Sequence, residues 1–277
     1  MERRPLTGEK ELEFLAQLGQ PTGRRSFLKW SGVTLAVAVA GCRDDGPTGT
    51  VTDGGFSHQP AAISLGSGNF AVLNYALTLE RLEAEFYTRA IGTPAFDGLS
   101  ADGKEVFRDL RSHEVVHRDY LIAAISALGG TPVPDLEFTF PEAAFNDTEV
   151  LLEIARTFED LGVSAYNGAA QLFSNDALGA TLLTVAGKIV SVEARHAAAI
   201  RDLIHPNTGF FAADVSDWGE LGVVNEQGLD VVRVPSMVLP LANPFIVGDI
   251  LDPHVLDVSG LPTPSYVPPS PTAPIPA

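Results

Sequence analysis

Four long amphipathic segments, each with one glutamate on its apolar stripe, constrain this chain more than any other feature. Within each segment apolar residues recur at steps of three and four, the spacing that places side chains on one face of an α-helix. The first stripe is Leu73, Leu77, Glu80, Ala84, Tyr87 and Ile91. The glutamates of the other three stripes are Glu114, Glu159 and Glu193. The pattern predicts helices that pack together with their glutamates in a shared core.

Two of these glutamates are followed by a histidine three residues later, on the same helix face. His117 follows Glu114, and His196 follows Glu193. Burying a lone carboxylate costs on the order of several kcal/mol, so carboxylates on a core seam need a common compensator. Carboxylates and neutral imidazoles bind di-iron and di-manganese centres in this arrangement. We therefore expect two iron or manganese ions as cofactors. The candidate ligands are Glu80, Glu114, His117, Glu159, Glu193 and His196.

The positions of the glutamates along their segments allow the side chains to meet. Glu80 and Glu114 lie on either side of the break between the first and second segments, and Glu159 and Glu193 lie on either side of the break between the third and fourth. Within each pair, the two distances from the break agree within about one helical turn. The connection at residues 129–146 can extend to about 60 Å, enough to run along a helix of about 40 Å. A simple up-down bundle needs only a few residues there. The fold class is therefore all-α, a four-helix bundle with a long crossover between helices two and three.

Several neighbouring residues keep alternative interpretations. Glu83 is an alternative first-helix ligand, although it leaves the apolar stripe. His113 lies off the seam and is expected to be exposed. The alternative is that its side chain contacts a metal ligand and holds it in place. Tyr87 and Tyr166 each follow a candidate ligand by seven residues and are expected in the core, where their hydroxyls could hold a carboxylate.

Two glycines interrupt the third segment. Gly162 costs about 1 kcal/mol in a helix relative to alanine and is interpreted as leaving room for a metal or an oxidant. Gly168 is interpreted as allowing close packing between helices.

The motifs resemble those of the ferritin-like domain proteins grouped with plant desiccation-related proteins and, more distantly, those of bacterioferritin and rubrerythrin. The similar stretches are residues 77–87, 112–117, 158–170 and 192–198. The resemblance covers residues 69–204 and implies a ferritin-like bundle, with the six candidate residues as bridging or terminal metal ligands. The methionines, Met1 and Met237, provide no bacterioferritin-type haem ligand, and the chain has no Cys-x-x-Cys motif of a rubredoxin module.

The N-terminal region has the layout of an export signal. Arg24 and Arg25 precede twelve uncharged, mostly apolar residues, 30–41, which is too short for a transmembrane helix of about 20 residues. Cys42, the single cysteine, follows in a sequence that resembles a bacterial lipobox. We expect lipidation of Cys42, a membrane anchor through that lipid, and a periplasmic or cell-envelope lipoprotein. Cleavage before Gly41, which would leave a soluble protein with a free thiol, is the alternative.

The chain divides into four predicted regions. They are a twin-arginine-type signal with lipobox (1–42), a flexible tether (43–64), the ferritin-like bundle (65–206) and an extended, irregular, Pro-rich C-terminal region (207–277). The formal net charge of −17 argues against nucleic-acid binding, which requires a basic surface. The sequence does not determine whether the chain forms a homo-oligomer.

Two classes of function follow from these features. The first is a dimetal oxidoreductase that turns over ferrous iron, dioxygen or peroxide as a ferroxidase, peroxidase or catalase-like enzyme. The second is a non-catalytic stress or desiccation-related envelope protein whose metal site is structural or vestigial. No sequence feature identifies a substrate or a reductant.

Overall fold

Residues 63–206 and 230–247 are described by the computed structural model. Four long helices form a bundle: α1 (Gly68–Ala90), α2 (Ala101–Ala127), α3 (Thr148–Ala169) and α4 (Ala177–Ile204). A shorter helix, α5 (Pro235–Ala242), follows. Single turns of helix at Pro94–Asp97, Ala143–Asn146, Ala170–Leu172 and Asn243–Phe245 complete the described elements. These ranges contain no β-strand, and the predicted all-α fold is confirmed. The predicted signal, Cys42 and nearly all of the tether lie outside the described residues.

Side-chain caps fix where three of the long helices begin. Ser100 Oγ accepts a hydrogen bond from the Gly103 backbone N–H at 3.0 Å, at the start of α2. Asp147 Oδ1 accepts from Glu149 N–H at 2.9 Å before α3, and Asp176 Oδ1 accepts from Gly179 N–H at 2.7 Å before α4. Each cap satisfies an amide that has no partner within its own helix.

The connection between α2 and α3 runs along α1. Near the start of α1, the buried Asn74 side chain donates to the Thr131 carbonyl at 3.0 Å. Near the end of α1, the Phe86 ring packs against Phe140, with 5.5 Å between ring centroids. Contacts therefore advance along α1 as the connection proceeds, and the predicted long crossover is confirmed.

Contacts at the two ends of the bundle define the direction of α3. Thr148 Oγ1, at the start of α3, donates to the Ala95 carbonyl at 2.8 Å, just beyond the end of α1. Beyond the end of α3, Asn69 Nδ2 donates to Ser174 Oγ at 2.8 Å, at the start of α1. The helix α3 is therefore antiparallel to α1.

The C-terminal piece 230–247 differs from the extended chain predicted there. Residues 235–242 form helix α5, which packs on α3. Just before α5, Arg233 donates its backbone N–H to the Ser164 carbonyl at 3.0 Å and Nη1 to Ser164 Oγ at 2.8 Å. A Cβ at Gly168 would lie 1.8 Å from the Arg233 carbonyl oxygen. Gly168 therefore admits this backbone segment, and its expected role in helix packing was wrong.

Helix α4 is long and apolar enough, by length and composition, to cross a membrane. A core helix of a soluble protein meets the same criteria. In this bundle α4 carries the buried Glu193 and His196 on its inner face.

Candidate metal centre

The four glutamates predicted on the helical seams meet in the middle of the bundle, and each is 0% exposed. Their oxygens and the two histidines form two overlapping groups. In each group every residue offers one ligand atom, and these atoms all lie within 4.8 Å of one another. The first group is Glu80, Glu114, His117 and Glu193, and the second is Glu114, Glu159, Glu193 and His196. The structure thus brings together all six candidate side chains, and their role as metal ligands stays a prediction.

Glu114 and Glu193 belong to both groups, and each directs one oxygen toward each histidine. Glu114 Oε2 is 3.4 Å from His117 Nδ1, while its Oε1 is 2.8 Å from His196 Nδ1. Glu193 Oε1 is 3.0 Å from His117 Nδ1, and its Oε2 is 3.7 Å from His196 Nδ1. These two carboxylates have the orientation of bridging ligands.

Glu80 and Glu159 each belong to one group. Glu80 Oε2 is 3.2 Å from His117 Nδ1, and Glu159 Oε2 is 3.3 Å from His196 Nδ1. The centre is therefore nearly symmetric. Each of its two positions has one histidine, one carboxylate of its own and two shared carboxylates.

Most of the converging atoms lack hydrogen bonds although they lie close to one another. Among the described residues, the buried atoms without a hydrogen-bond partner include Glu80 Oε2, Glu114 Oε1, Glu159 Oε2, both oxygens of Glu193 and His196 Nδ1. An unpaired buried polar atom costs about 1–3 kcal/mol, and more if it is charged. Divalent metal ions placed among these oxygen and nitrogen donors would compensate them, and the donor set suits iron or manganese. The residues present therefore fit a metal pair.

Two tyrosines hold the outer oxygens of the unshared carboxylates. Tyr87 on α1 donates its hydroxyl to Glu159 Oε1 at 2.6 Å, and Tyr166 on α3 donates to Glu80 Oε1. Each tyrosine thus reaches across the bundle to the opposite helix and leaves the second oxygen of that carboxylate facing the centre. This agrees with the expectation that their hydroxyls could hold a carboxylate.

His113 is exposed, as expected from its position off the seam, and it also contacts the centre. Its Nδ1 lies 2.8 Å from His196 Nε2, with the two rings nearly parallel. Because this hydrogen bond uses Nε2 of His196, its Nδ1 remains available to the centre. One signal for this contact is present in the sequence, since His113 directly precedes Glu114.

Glu83 is also buried, at 3% exposed, but it belongs to neither group. A Cβ at Gly162 would lie 3.2 Å from Glu83 Oε1 and 3.3 Å from Glu193 Oε2. Gly162 therefore makes room for the carboxyl groups of Glu83 and Glu193. Burial, together with the charge of Glu193, raises the pKa of Glu83 well above its ordinary value, which favours the neutral acid. The first helix thus contributes Glu80 to the groups, and Glu83 lies beside them.

Without a metal, protons on the histidines balance the carboxylates. Burial alone would lower the pKa of His196, but the charge of Glu159 and the close oxygen of Glu114 raise it to about 12. Burial opposes protonation of His117 as well, yet Glu80 raises its pKa above the usual range. Burial alone would raise the pKa of Glu193, and the two imidazoles lower it to about 2. A metal ion must therefore displace protons from both histidines.

A family model described as a ferritin-like domain matches residues 68–206. The match extends from the first residue of α1 to just beyond α4 and includes all six side chains of the centre. No curated protein matches the chain.

Proposed function

Because this chain belongs to the ferritin-like domain family, we propose that it is an exported dimetal carboxylate protein that oxidises ferrous iron or consumes peroxide or dioxygen. The orientation of Glu114 and Glu193 carries the proposal, since each directs one oxygen toward each histidine. Carboxylates oriented in this way can bridge two metal ions about 3.5–4 Å apart.

The six side chains divide into three pairs by role. Glu80 and His117 would hold one ion, and Glu159 and His196 would hold the other. Glu114 and Glu193 would bridge both. A bound iron or manganese pair supplies electrons to dioxygen or peroxide, and ferrous substrate or a reductant restores them.

The surrounding residues orient these ligands. The hydroxyls of Tyr87 and Tyr166 fix one oxygen of each unshared carboxylate, so the other oxygen points to the centre. His113 fixes the ring of His196 through Nε2. The Phe107 ring packs on Tyr87, with 5.4 Å between ring centroids, and helps to exclude water from this side. Charges in such a dry core interact more strongly than they do in water.

In the ferroxidase form of the activity, two ferrous ions act as substrate. Each loses one electron to dioxygen, which takes up two protons and leaves as hydrogen peroxide.

Glu114→Ala and Glu193→Ala should each remove a shared ligand, lower the metal content sharply and abolish turnover of ferrous iron or peroxide. Glu153→Ala, which removes an exposed carboxylate of α3, is the matched control and should behave as the wild type.

Purified protein that holds two metals per chain, yet is inert toward dioxygen, peroxide and ferrous iron, would contradict the redox activity. The non-catalytic stress-related envelope protein with a structural or vestigial metal site would then be the better account.

The proposal of export is supported by residues 24–42, which lie outside the described ranges. Replacing Arg24 and Arg25 by lysine should hold the precursor in the cytoplasm. Cys42→Ser should abolish lipidation and move the protein from the membrane fraction to the soluble fraction. A Cys42→Ser protein that still fractionates with membranes would contradict the lipid anchor.

A further inference from the structure

A small cavity of about 20 Å³ lies inside the bundle, between all four long helices. Its lining is aliphatic and aromatic, and it includes Ala76 of α1, Leu121 of α2, Tyr166 of α3 and Ile189 of α4. None of these side chains is charged.

The cavity adjoins the candidate metal centre. Ala76 lies four residues before Glu80, and Ile189 lies four residues before Glu193. Leu121 lies four residues after His117. Four residues are about one turn of a helix, so these three helices place a cavity wall next to a candidate ligand. From α3, Tyr166 lines the cavity and also donates its hydroxyl to Glu80.

Small side chains create this space. Ala76, Ala165 and Ala186, from three different helices, all line the cavity and are buried. At the opposite end of the centre, aromatic rings fill the corresponding space. Phe86 packs on Phe158 with 5.1 Å between centroids, and Tyr87 packs on Phe107 at 5.4 Å. The cavity therefore belongs to one side of the centre.

The lining determines what the cavity can hold. A buried water needs about two to four polar partners, whereas apolar cavities stay dry and take up small apolar molecules such as xenon. The Tyr166 hydroxyl is engaged by Glu80, which leaves the Tyr75 hydroxyl as a polar atom without a partner among the described residues. One hydroxyl is too few for water, and hydrogen peroxide would leave its own hydrogen bonds unmade here. A diatomic gas matches both the size and the polarity of the cavity.

We propose that this cavity is a dioxygen site, which holds the oxidant one helical turn from the dimetal centre. The proposal rests on the proposed function and narrows its oxidant to dioxygen.

Xenon binding tests the cavity separately from any redox activity. Crystals of the purified full chain, prepared without added metal, should show a xenon atom between Ala76, Ala186 and Ile189 under xenon pressure. Ala186→Leu adds three carbons at this place and should abolish the xenon peak. Absence of xenon from the wild-type cavity would overturn the proposal.

Oxidation rates of the metal-loaded protein test the identity of the oxidant. Ala186→Leu and Ala76→Val fill the cavity from two different helices and should slow oxidation by dioxygen several-fold. Oxidation by hydrogen peroxide, whose hydrogen bonds the apolar cavity leaves unmade, should be unchanged. Ala123→Leu, at an exposed position of α2, is the control for added bulk. Metal content of each variant confirms that the centre is intact.

Equal slowing with both oxidants, or no slowing with dioxygen in either filling variant, would overturn the dioxygen site. If the wild-type protein reacts with neither oxidant, the proposed redox function fails, while the xenon experiment still decides whether the cavity takes an apolar gas.

Discussion

Glu80 and Glu83 lie three residues apart on α1, and their surroundings give them different chemistry. Glu80 is held by Tyr166 and faces His117. Glu83 occupies the space left by Gly162 and has a raised pKa because it is buried among other carboxylates. One helix face thus presents one candidate ligand and one carboxyl group whose raised pKa favours the neutral acid.

The same substitution at both positions should therefore have different effects. Glu80→Gln removes a charged oxygen donor, so we expect a sharp loss of bound metal. Glu83→Gln replaces a carboxyl group that belongs to neither ligand group by an amide of nearly the same shape, so metal content should remain near that of the wild type. Elemental analysis of both purified variants provides the comparison. Equal loss from both variants would show that Glu83 is also a ligand.

His113 should influence the metal through its hydrogen bond to His196. Replacing the partner of a ligating histidine typically lowers metal affinity about 10–100-fold. We expect a loss of this size for His113→Ala, with recovery in His113→Gln, whose side-chain oxygen can accept the same hydrogen bond. Ser112→Ala, at the neighbouring exposed position, controls for a change in helix α2. The measurement is competition with a chelator of known affinity, and failure of His113→Gln to recover affinity would contradict this role.

Metal affinity should rise with pH. The metal-free centre keeps its histidines protonated at neutral pH, because nearby carboxylates raise the pKa of His196 to about 12 and that of His117 above its usual range. A metal must displace those protons, so each proton released contributes about a tenfold gain in affinity per pH unit. Titrations at several pH values, with proton release measured in weak buffer, check this. An affinity independent of pH would contradict it.

The contribution of these histidines to the stability of the metal-free protein should fall as the pH rises, whereas metal affinity should increase. A histidine with a raised pKa contributes its full stabilisation below its ordinary pKa. For His196 that contribution is lost as the pH rises toward about 12.

At the scale of elements, α3 supports the C-terminal segment at Gly168. Gly168→Ala would place a Cβ 1.8 Å from the Arg233 carbonyl oxygen, so it should displace this segment and lower the melting temperature. Gly187→Ala, in α4, makes the same change where nothing lies within 4 Å and should stabilise the protein by about 0.5–1 kcal/mol. Thermal unfolding of both variants distinguishes the two sites. A Gly168→Ala protein as stable as the wild type would contradict the contact.

The four long helices could be predicted because their apolar period extends over many turns. The crossover followed from the length of residues 129–146. Helix α5 could not be predicted in the same way, because it has only eight residues, Pro235–Ala242, and includes Pro240, which in isolation indicates a break. Its support comes from Ser164 and Gly168, more than sixty residues earlier.

The ligand candidates could be predicted because a charged residue on a buried stripe is costly and stands out. The roles of Glu83 and Gly162 could not, since they depend on how α1 and α3 face each other. The bridging orientation of Glu114 and Glu193 likewise depends on the packing of α2 against α4.

At the scale of the whole molecule, the centre has two unlike sides. Along α2, His113 lies before Glu114 on a side that reaches solvent, and Leu121 lies after His117 in the wall of the apolar cavity. The net charge of −17 favours the approach of cations to the surface. The exposed His113 and the apolar cavity therefore lie toward opposite ends of α2.

The central claim is that six side chains hold a pair of metal ions, and anomalous diffraction from metal-loaded crystals tests it most directly. We expect two anomalous peaks about 3.5–4 Å apart, one beside His117 and the other beside His196, with Glu114 and Glu193 in contact with both. A single peak, or metal bound only outside these six residues, would contradict the dimetal centre.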